Sequence, residues 1–323
     1  MAKLVYIGGY GRSGSTLLEY LLTSNPSLVA CGEVERHLRR FGRRKICTCG
    51  RRAKKCSVWG NFQHRSGRLK NWDHKQLTLA MLEYVSSDYD VMVDSSKTSW
   101  GSTFAPFRLS RDLGENFLLV HLVRDPRAVA WSTMKSLGPR QLTSKRNFKV
   151  RSLSSRARSL RTVGGWTIAN LACEMFGFFH PDRYIRLRYE ALVREPFESL
   201  KQIFARVYLE PPATLEQNEK RRNRHQLYGN AMRFETLLPA ELKEDVAWRT
   251  AMPKAYLCGS LYLACLAFVW VQRFVCRRSI SEAVSTSTKM LSELAGTSTT
   301  FSACRASSCF APSSPDSAII SAK

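Results

Sequence analysis

Leu4-Val5-Tyr6-Ile7-Gly8-Gly9-Tyr10-Gly11-Arg12-Ser13-Gly14-Ser15-Thr16-Leu17-Leu18 is the stretch that decides the fold. Residues 4–7 read as a short apolar strand and residues 8–14 as a glycine-rich loop. Residues 15–24 read as a helix that places Leu17, Leu18, Leu21 and Leu22 on one face. A glycine-rich loop between a strand and a helix gathers backbone N–H groups and the positive end of the helix dipole at one spot, which suits an anion. The spacing is that of a nucleotide P-loop, G-x-x-x-x-G-K-[ST], except that Ser15 stands in the lysine position and Arg12 lies three residues earlier. In triphosphate chemistry that lysine reaches the β- and γ-phosphates while the next hydroxyl holds Mg²⁺, so its loss argues against a metal-assisted triphosphate site. A tight strand-to-helix turn that uses glycine for backbone reasons alone is the plainer alternative.

Working outward, DVMV at 90–93, Phe117–Val123 (FLLVHLV) and YIRL at 184–187 are apolar runs of the kind buried in a parallel sheet. Helical patterns fall between them at 76–85, 128–135 and 163–179. Strands alternating with helices predict an α/β fold: a P-loop-like domain with a central parallel sheet flanked by helices.

The chain has 323 residues, is 44% hydrophobic and 11% aromatic, and carries a formal net charge of +24. That core content excludes wholesale disorder, and the charge predicts an anionic partner: nucleic acid, an anionic membrane, or phosphorylated and sulfated small molecules. Residues 1–254 hold 44 basic against 23 acidic residues, a balance of +21. Two acid-free basic tracts stand out, ten Lys or Arg at 36–55 and nine at 135–161, with a shorter one at 220–224. Ten cysteines fall well below a disulfide scaffold, and the N-terminus lacks the apolar run of a signal peptide, so a reducing, cytoplasmic setting is expected.

GYGRSGSTLL at 9–18 closely resembles the 5′-phosphosulfate loop of sulfotransferases that use PAPS (3′-phosphoadenosine 5′-phosphosulfate). FLLVHLVRDPRAVAWS at 117–132 resembles the same family's 3′-phosphate element. In it an Arg and a Ser eight residues on, here Arg124 and Ser132, grip the 3′-phosphate. Physical chemistry supports the match: guanidinium presents a planar fork to phosphate oxygens, Pro126 suits a first helical turn, and Ser132 lies two turns along. CGE at 31–33 resembles the segment that supplies the catalytic base in the protein-tyrosine branch, which makes Glu33 the candidate base. The plainer reading is a helix cap or a partner for the basic tract. DSSK at 94–97 resembles bacterial-type members and implies that Lys97 stands near the sulfuryl group, the alternative being a surface lysine after an Asp94 cap. RYEAL at 188–192 with Pro196, and HQLYGN at 225–230 with Arg233, extend the resemblance through residue 253.

The resemblance implies catalytic Glu33, Arg12 and Lys97. It implies a donor site of Arg12, Ser13, Gly14, Ser15 and Thr16 for the 5′-phosphosulfate, with Arg124, Ser132, Tyr189 and Arg233 around the 3′-phosphoadenosine. The function expected is sulfuryl transfer from PAPS to a hydroxyl of a carbohydrate, lipid-linked or small-molecule acceptor, with no metal required. A P-loop small-molecule kinase, or a non-catalytic nucleic-acid or membrane-surface binder, are the competing readings. The basic tracts lack the interleaved aromatics of a nucleic-acid platform, so nucleic acid is not the expected partner.

Cys47, Cys49 and Cys56, with His64 a possible fourth ligand, are compatible with zinc. Their resemblance to C-x-C-G stretches of bacterial sulfotransferases favours instead a structural or redox cluster lining an acceptor loop. The sulfotransferase-like domain is expected to span residues 1–254. Residues 255–323 then form a divergent tail that opens with 18 uncharged residues at 255–272, the lower limit of a membrane span. A membrane anchor, a buried helix and an out-of-frame tail are its three readings, the last favoured by the abrupt change of composition.

Overall fold

The computed structural model describes residues 2–39, 45–66, 72–99, 102–135, 148–212, 223–235 and 242–251. All belong to the first of two compact units, Met1–Val275. The apolar stretch at 255–272 and the second unit, Cys276–Lys323, lie outside the described residues. Among the described residues no helix is long and apolar enough to cross a membrane.

The chain runs β1 (Lys3–Gly8), α1 (Ser15–Leu22), β2 (Leu28–Gly32), α2 (Val34–Arg39), α3 (Trp59–Ser66), α4 (His74–Val85), β3 (Val91–Asp94), α5 (Ala105–Leu113) and β4 (Phe117–Val123). It continues through α6 (Pro126–Lys135), α7 (Phe148–Phe179), β5 (Tyr184–Arg188), α8 (Tyr189–Arg194), α9 (Pro196–Val207) and α10 (Trp248–Ala251). Five parallel strands form one sheet in the order β2-β3-β1-β4-β5. β1 therefore lies at its centre, and the chain fills one side of the sheet before crossing to the other.

Leu4, Val5, Tyr6 and Ile7 are each fully buried, because helices cover both faces of the sheet. Leu4 and Tyr6 join the layer built with α4, α5 and α7, whereas Val5 and Ile7 join the layer built with α1 and α9. The apolar run at the start of the chain is thus the signature of a strand with two hydrophobic sides.

Several boundaries shift for local reasons. The helix anticipated from residue 76 starts at His74, since Asp73 accepts from the Gln76 backbone at 2.7 Å and Gln76 Oε1 accepts from the Asp73 backbone at 2.9 Å, a complete capping box. α1 stops at Leu22, two residues short of expectation. The Thr23 and Ser24 hydroxyls turn back onto the carbonyls of Tyr20 and Leu21, at 2.8 and 2.6 Å. α7 begins at Phe148, fifteen residues before the anticipated 163, so part of the basic tract at 135–161 is helical. Lysine and arginine are good helix formers, and their charge hides the apolar period.

β2 has no counterpart in the sequence reading. It is five residues long, includes Ala30, Cys31 and Gly32, and has little intrinsic strand preference, yet every residue of it is buried. Its outer edge is covered by 223–226: Ala30 donates to Asn223 O at 3.0 Å and accepts from His225 N at 2.8 Å. Asn223 Nδ2 also donates to the carbonyls of Thr23, Asn25 and Leu28. An edge that would invite pairing with another chain is closed by this chain itself.

Glu19 ties these pieces together. It sits on α1, 1% exposed, and accepts from Gly32 N at 2.9 Å, Ser95 Oγ at 2.9 Å and Gln226 Nε2 at 2.6 Å. Burial pushes its carboxyl up to about 7, against the hydrogen bonds and the Lys97 charge that pull it down. A carboxyl whose folded pKa stands above its unfolded one contributes stability that is complete below the unfolded value and lost as pH rises through the folded value. Glu19 therefore removes up to about 3 kcal/mol between about pH 4.5 and above pH 7. Glu19→Gln, which leaves one donor without an acceptor, is expected to cost about 1–3 kcal/mol at pH 5. That deficit should shrink by pH 8, read from denaturant unfolding at each pH. A deficit constant across the range would contradict the assignment.

Candidate active site

All strands being parallel, their carboxyl ends open on one edge, where α/β sheets place their ligands. The loop after β1 carries Arg12, and β2 runs directly into Glu33. β3 leads to Lys97, β4 to Arg124 and β5 to Tyr189. One cavity of about 590 Å³ is lined by residues from all five strand ends, among them Gly11, Arg12, Gly14, Ser15, Thr16, Glu33, Lys97, Arg124 and Tyr189. Ser132 on α6 and Gly229, Asn230 and Met232 complete one side.

The loop can turn here only with glycine at two points. Gly9 has φ +102°, and a Cβ there would stand 2.5 Å from Leu122 O. Gly14, at φ +98°, caps α1, and a Cβ there would stand 2.5 Å from Tyr189 Cδ2. Arg12 at φ +71° and Lys97 at φ +69° are left-handed without being glycine, and Tyr208, remote from the cavity, is the only other described case. Backbone strain of about 1–3 kcal/mol per residue is thus concentrated on two of the cations that line the site.

Arg124, 7% exposed, donates to Arg12 O at 3.1 Å and lies 4.2 Å over the Tyr189 ring, while Trp166 Nε1 donates to its carbonyl at 3.0 Å. The guanidinium is thereby fixed between the loop and an aromatic floor. Its Nε is buried without a hydrogen-bond partner, and the residue lines the cavity, which suits an anionic ligand there. Pro126 opens α6 as expected, and Asp125 accepts from Arg127 N at 2.8 Å, so the aspartate serves the helix start rather than the cavity.

Glu33 receives Lys97 Nζ on Oε1 and Arg36 NH1 on Oε2, the latter at 2.7 Å. Burial raises its pKa, but the two cations more than offset this and hold it below the usual carboxylate value. The pairing of Glu33 with the basic tract is met by Arg36, its first residue, and Lys97 adds a second cation; Lys97, 12% exposed at its side chain, is no ordinary surface lysine. Asp94 caps no helix. It is buried and accepts from Ser96 N at 2.8 Å, and also from Ser96 Oγ, with His74 Nε2 at 3.3 Å, so it shapes the turn that presents Lys97. Ser95 and Ser96 spend their hydroxyls on Glu19 and Asp94.

Arg233 is placed differently from expectation. Its guanidinium donates to the carbonyls of Gly229 and Asn230 at 2.9 and 3.0 Å, and it does not line the cavity, although its own segment does. Ser13, a buried residue of the loop itself, does not line it either. Glu35 and Lys243 line the cavity and were passed over in the sequence reading, as was the buried Glu19, which had a signal, a lone acid within the apolar LLEYLL.

A search of curated proteins finds no match. Among solved structures, the sulfotransferase domain from the curacin biosynthetic pathway is similar, with 17% identity, 90% of this chain and 97% of that chain covered, and a TM-score of 0.47. The sulfotransferase domain of the Synechococcus PCC 7002 olefin synthase is 19% identical over 81% of this chain and 93% of that chain, with a TM-score of 0.42. A mouse sulfotransferase complexed with PAP is 12% identical over 92% and 89% of the two chains, with a TM-score of 0.47. The sequence model of the sulfotransferase family matches residues 5–212, which hold most of β1, all of β2 to β5, and the residues Arg12, Glu33, Lys97, Arg124 and Tyr189. The chain therefore belongs to the sulfotransferase family and is a sulfotransferase.

Proposed function

We propose that the chain transfers a sulfuryl group from PAPS to a hydroxyl of a carbohydrate, lipid-linked or small-molecule acceptor, with Glu33 as general base and residues 1–254 as the catalytic domain. Membership of the family implies PAPS as donor. The observation that carries the reading is that a single cavity joins the glycine-rich loop, Arg124 and Ser132 to the Glu33–Lys97 pair. When bound, PAPS supplies an activated sulfuryl group and leaves as 3′,5′-ADP.

The backbone N–H groups of 12–16 and the hydroxyls of Ser15 and Thr16 hold the 5′-phosphosulfate at the start of α1. Arg124 and Ser132 hold the 3′-phosphate, and Tyr189 bears on the loop from below. Arg12 and Lys97 stabilise charge that grows on the bridging oxygen and the sulfuryl oxygens. Glu33 accepts the proton of the acceptor hydroxyl.

A carboxylate held down by two cations is a reluctant base. Lys97 resolves this by turning from Glu33 Oε1 towards the sulfuryl oxygens, which leaves the carboxylate with Arg36 alone and raises its basicity when the acceptor arrives. Because the free-enzyme pKa of Glu33 is lowered from 4.5, the base is ionised throughout the neutral range, and the acid limb of kcat/KM should fall below that value. Glu33→Gln is expected to cut transfer of labelled sulfate from PAPS by about 10²–10⁴-fold across a panel of glycan, lipid and small-alcohol acceptors. Binding of 3′,5′-ADP should stay nearly unchanged. Undiminished turnover would remove Glu33 from the role.

A further inference from the structure

Cys47, Cys49 and Cys56 converge on His225, 169 residues beyond Cys56 in sequence, and the four ligand atoms all lie within 4.8 Å of one another. Cys56 Sγ stands 3.6 Å from Cys47 Sγ and 3.2 Å from His225 Nδ1, and Cys47 Sγ stands 3.9 Å from the same nitrogen. A disulfide needs about 2.05 Å between its sulfurs. A tetrahedron with metal–sulfur bonds of about 2.3 Å and a metal–nitrogen bond of about 2.0–2.1 Å has edges of roughly 3.5–3.8 Å, and the three separations fall within a few tenths of an ångström of that range on either side.

We propose that Cys47, Cys49, Cys56 and His225 form a closed tetrahedral Zn²⁺ site of structural type. The ligand chemistry, three sulfurs and one imidazole, selects zinc over the oxygen-loving cations. Four protein ligands leave no position for water or substrate, so the ion is a clamp and takes no part in sulfuryl transfer. The fourth ligand is His225 rather than the His64 suggested by proximity in sequence, and the metal-free cluster favoured there gives way to a metal centre.

The surroundings are those of a built site. Cys47, Cys56 and His225 are 0%, 1% and 2% exposed. Backbone N–H groups point at each sulfur: Trp59 at Cys56 (3.4 Å), Cys49 at Cys47, and Arg51 at Cys49. Such bonds orient and stabilise thiolates. The backbone of His225 is fixed on both sides, its N–H donating to Ala30 O at 2.8 Å and its carbonyl accepting from Trp59 Nε1. Three thiolates around Zn²⁺ leave a charge of about −1, and Arg51, Arg52, Lys54 and Lys55 of the same loop provide the compensating field.

The clamp joins 45–59 to 223–228, a junction reinforced where Thr48 Oγ1 donates to Arg224 O at 2.7 Å and accepts from Gln226 N at 2.9 Å. Immediately beyond lie Gly229, Asn230 and Met232, which line the cavity. The ion thus sets the position of one cavity wall from a distance.

The test is elemental analysis of the full chain purified without chelator, together with cobalt substitution. About one zinc per chain, and Co²⁺ spectra with tetrahedral d–d and thiolate charge-transfer bands, are the expected results. Cys49→Ser, at the least buried ligand, should weaken Zn²⁺ by more than the roughly 10–100-fold typical of losing a hydrogen-bond partner of a ligand, and should remove a charge-transfer component. Metal-free protein whose three thiols titrate freely in the native state, or a disulfide among them by mass spectrometry, would overturn the proposal. Because the wild-type cobalt spectrum needs no variant, a misfolded Cys49→Ser would not blunt the test.

Discussion

Parallel strands release the chain at one edge of the sheet, and in this protein that constraint arranges everything else. Because β1 is central, its carboxyl end has neighbours on both sides, and the loop that follows must turn between Leu122 O and the Tyr189 ring. Only glycine fits at 9 and 14, and the resulting turn lays backbone N–H groups along the start of α1. Arg124 is then locked against the loop's own carbonyl, so the two halves of the anion site share one support.

Electrostatics inside that frame is a matter of pairing rather than of total charge. The net +24 overstates the cations available to a ligand, because several arginines serve backbone carbonyls. Arg183 donates to Ser110 O and Gly114 O at the end of α5, adding a side-chain donor to the helix terminus. Arg224, buried in the shortest basic tract, stacks over Tyr20 and donates to Glu235 O and Arg233 O. Arg233 satisfies Gly229 and Asn230 in the same manner. Among the cations that line the cavity, Arg12, Lys97 and Arg124 come from three adjacent strand ends, and Lys97 already clamps Glu33 at the end of β2.

Much of this was legible in the sequence where a physical pattern is local. The run at 4–7, the glycine spacing and the apolar β4 gave the sheet, and the Arg124-to-Ser132 spacing put both residues on one cavity. What was illegible depends on distance. β2 carries little strand preference of its own and is held by β3 on one side and residues 223–226 on the other. Glu19 drew no reading inside its apolar helix, because its donors come from Gly32, Ser95 and Gln226, the last 207 positions away. His225 stood inside a quoted segment, yet nothing local tied it to Cys56, so proximity pointed to His64 instead.

The account rests on the claim that the strand-end cavity is shaped for a nucleotide with a 3′-phosphate, and calorimetric titration of the full chain with 3′,5′-ADP and, separately, with ATP and Mg²⁺ tests it most directly. Two or more charge-assisted bonds from Arg124 and Ser132, at about 1.5–3 kcal/mol each for a charged partner, predict that 3′,5′-ADP binds at least about 100-fold more tightly than ATP. Equal affinities, or a preference for ATP that depends on Mg²⁺, would contradict it.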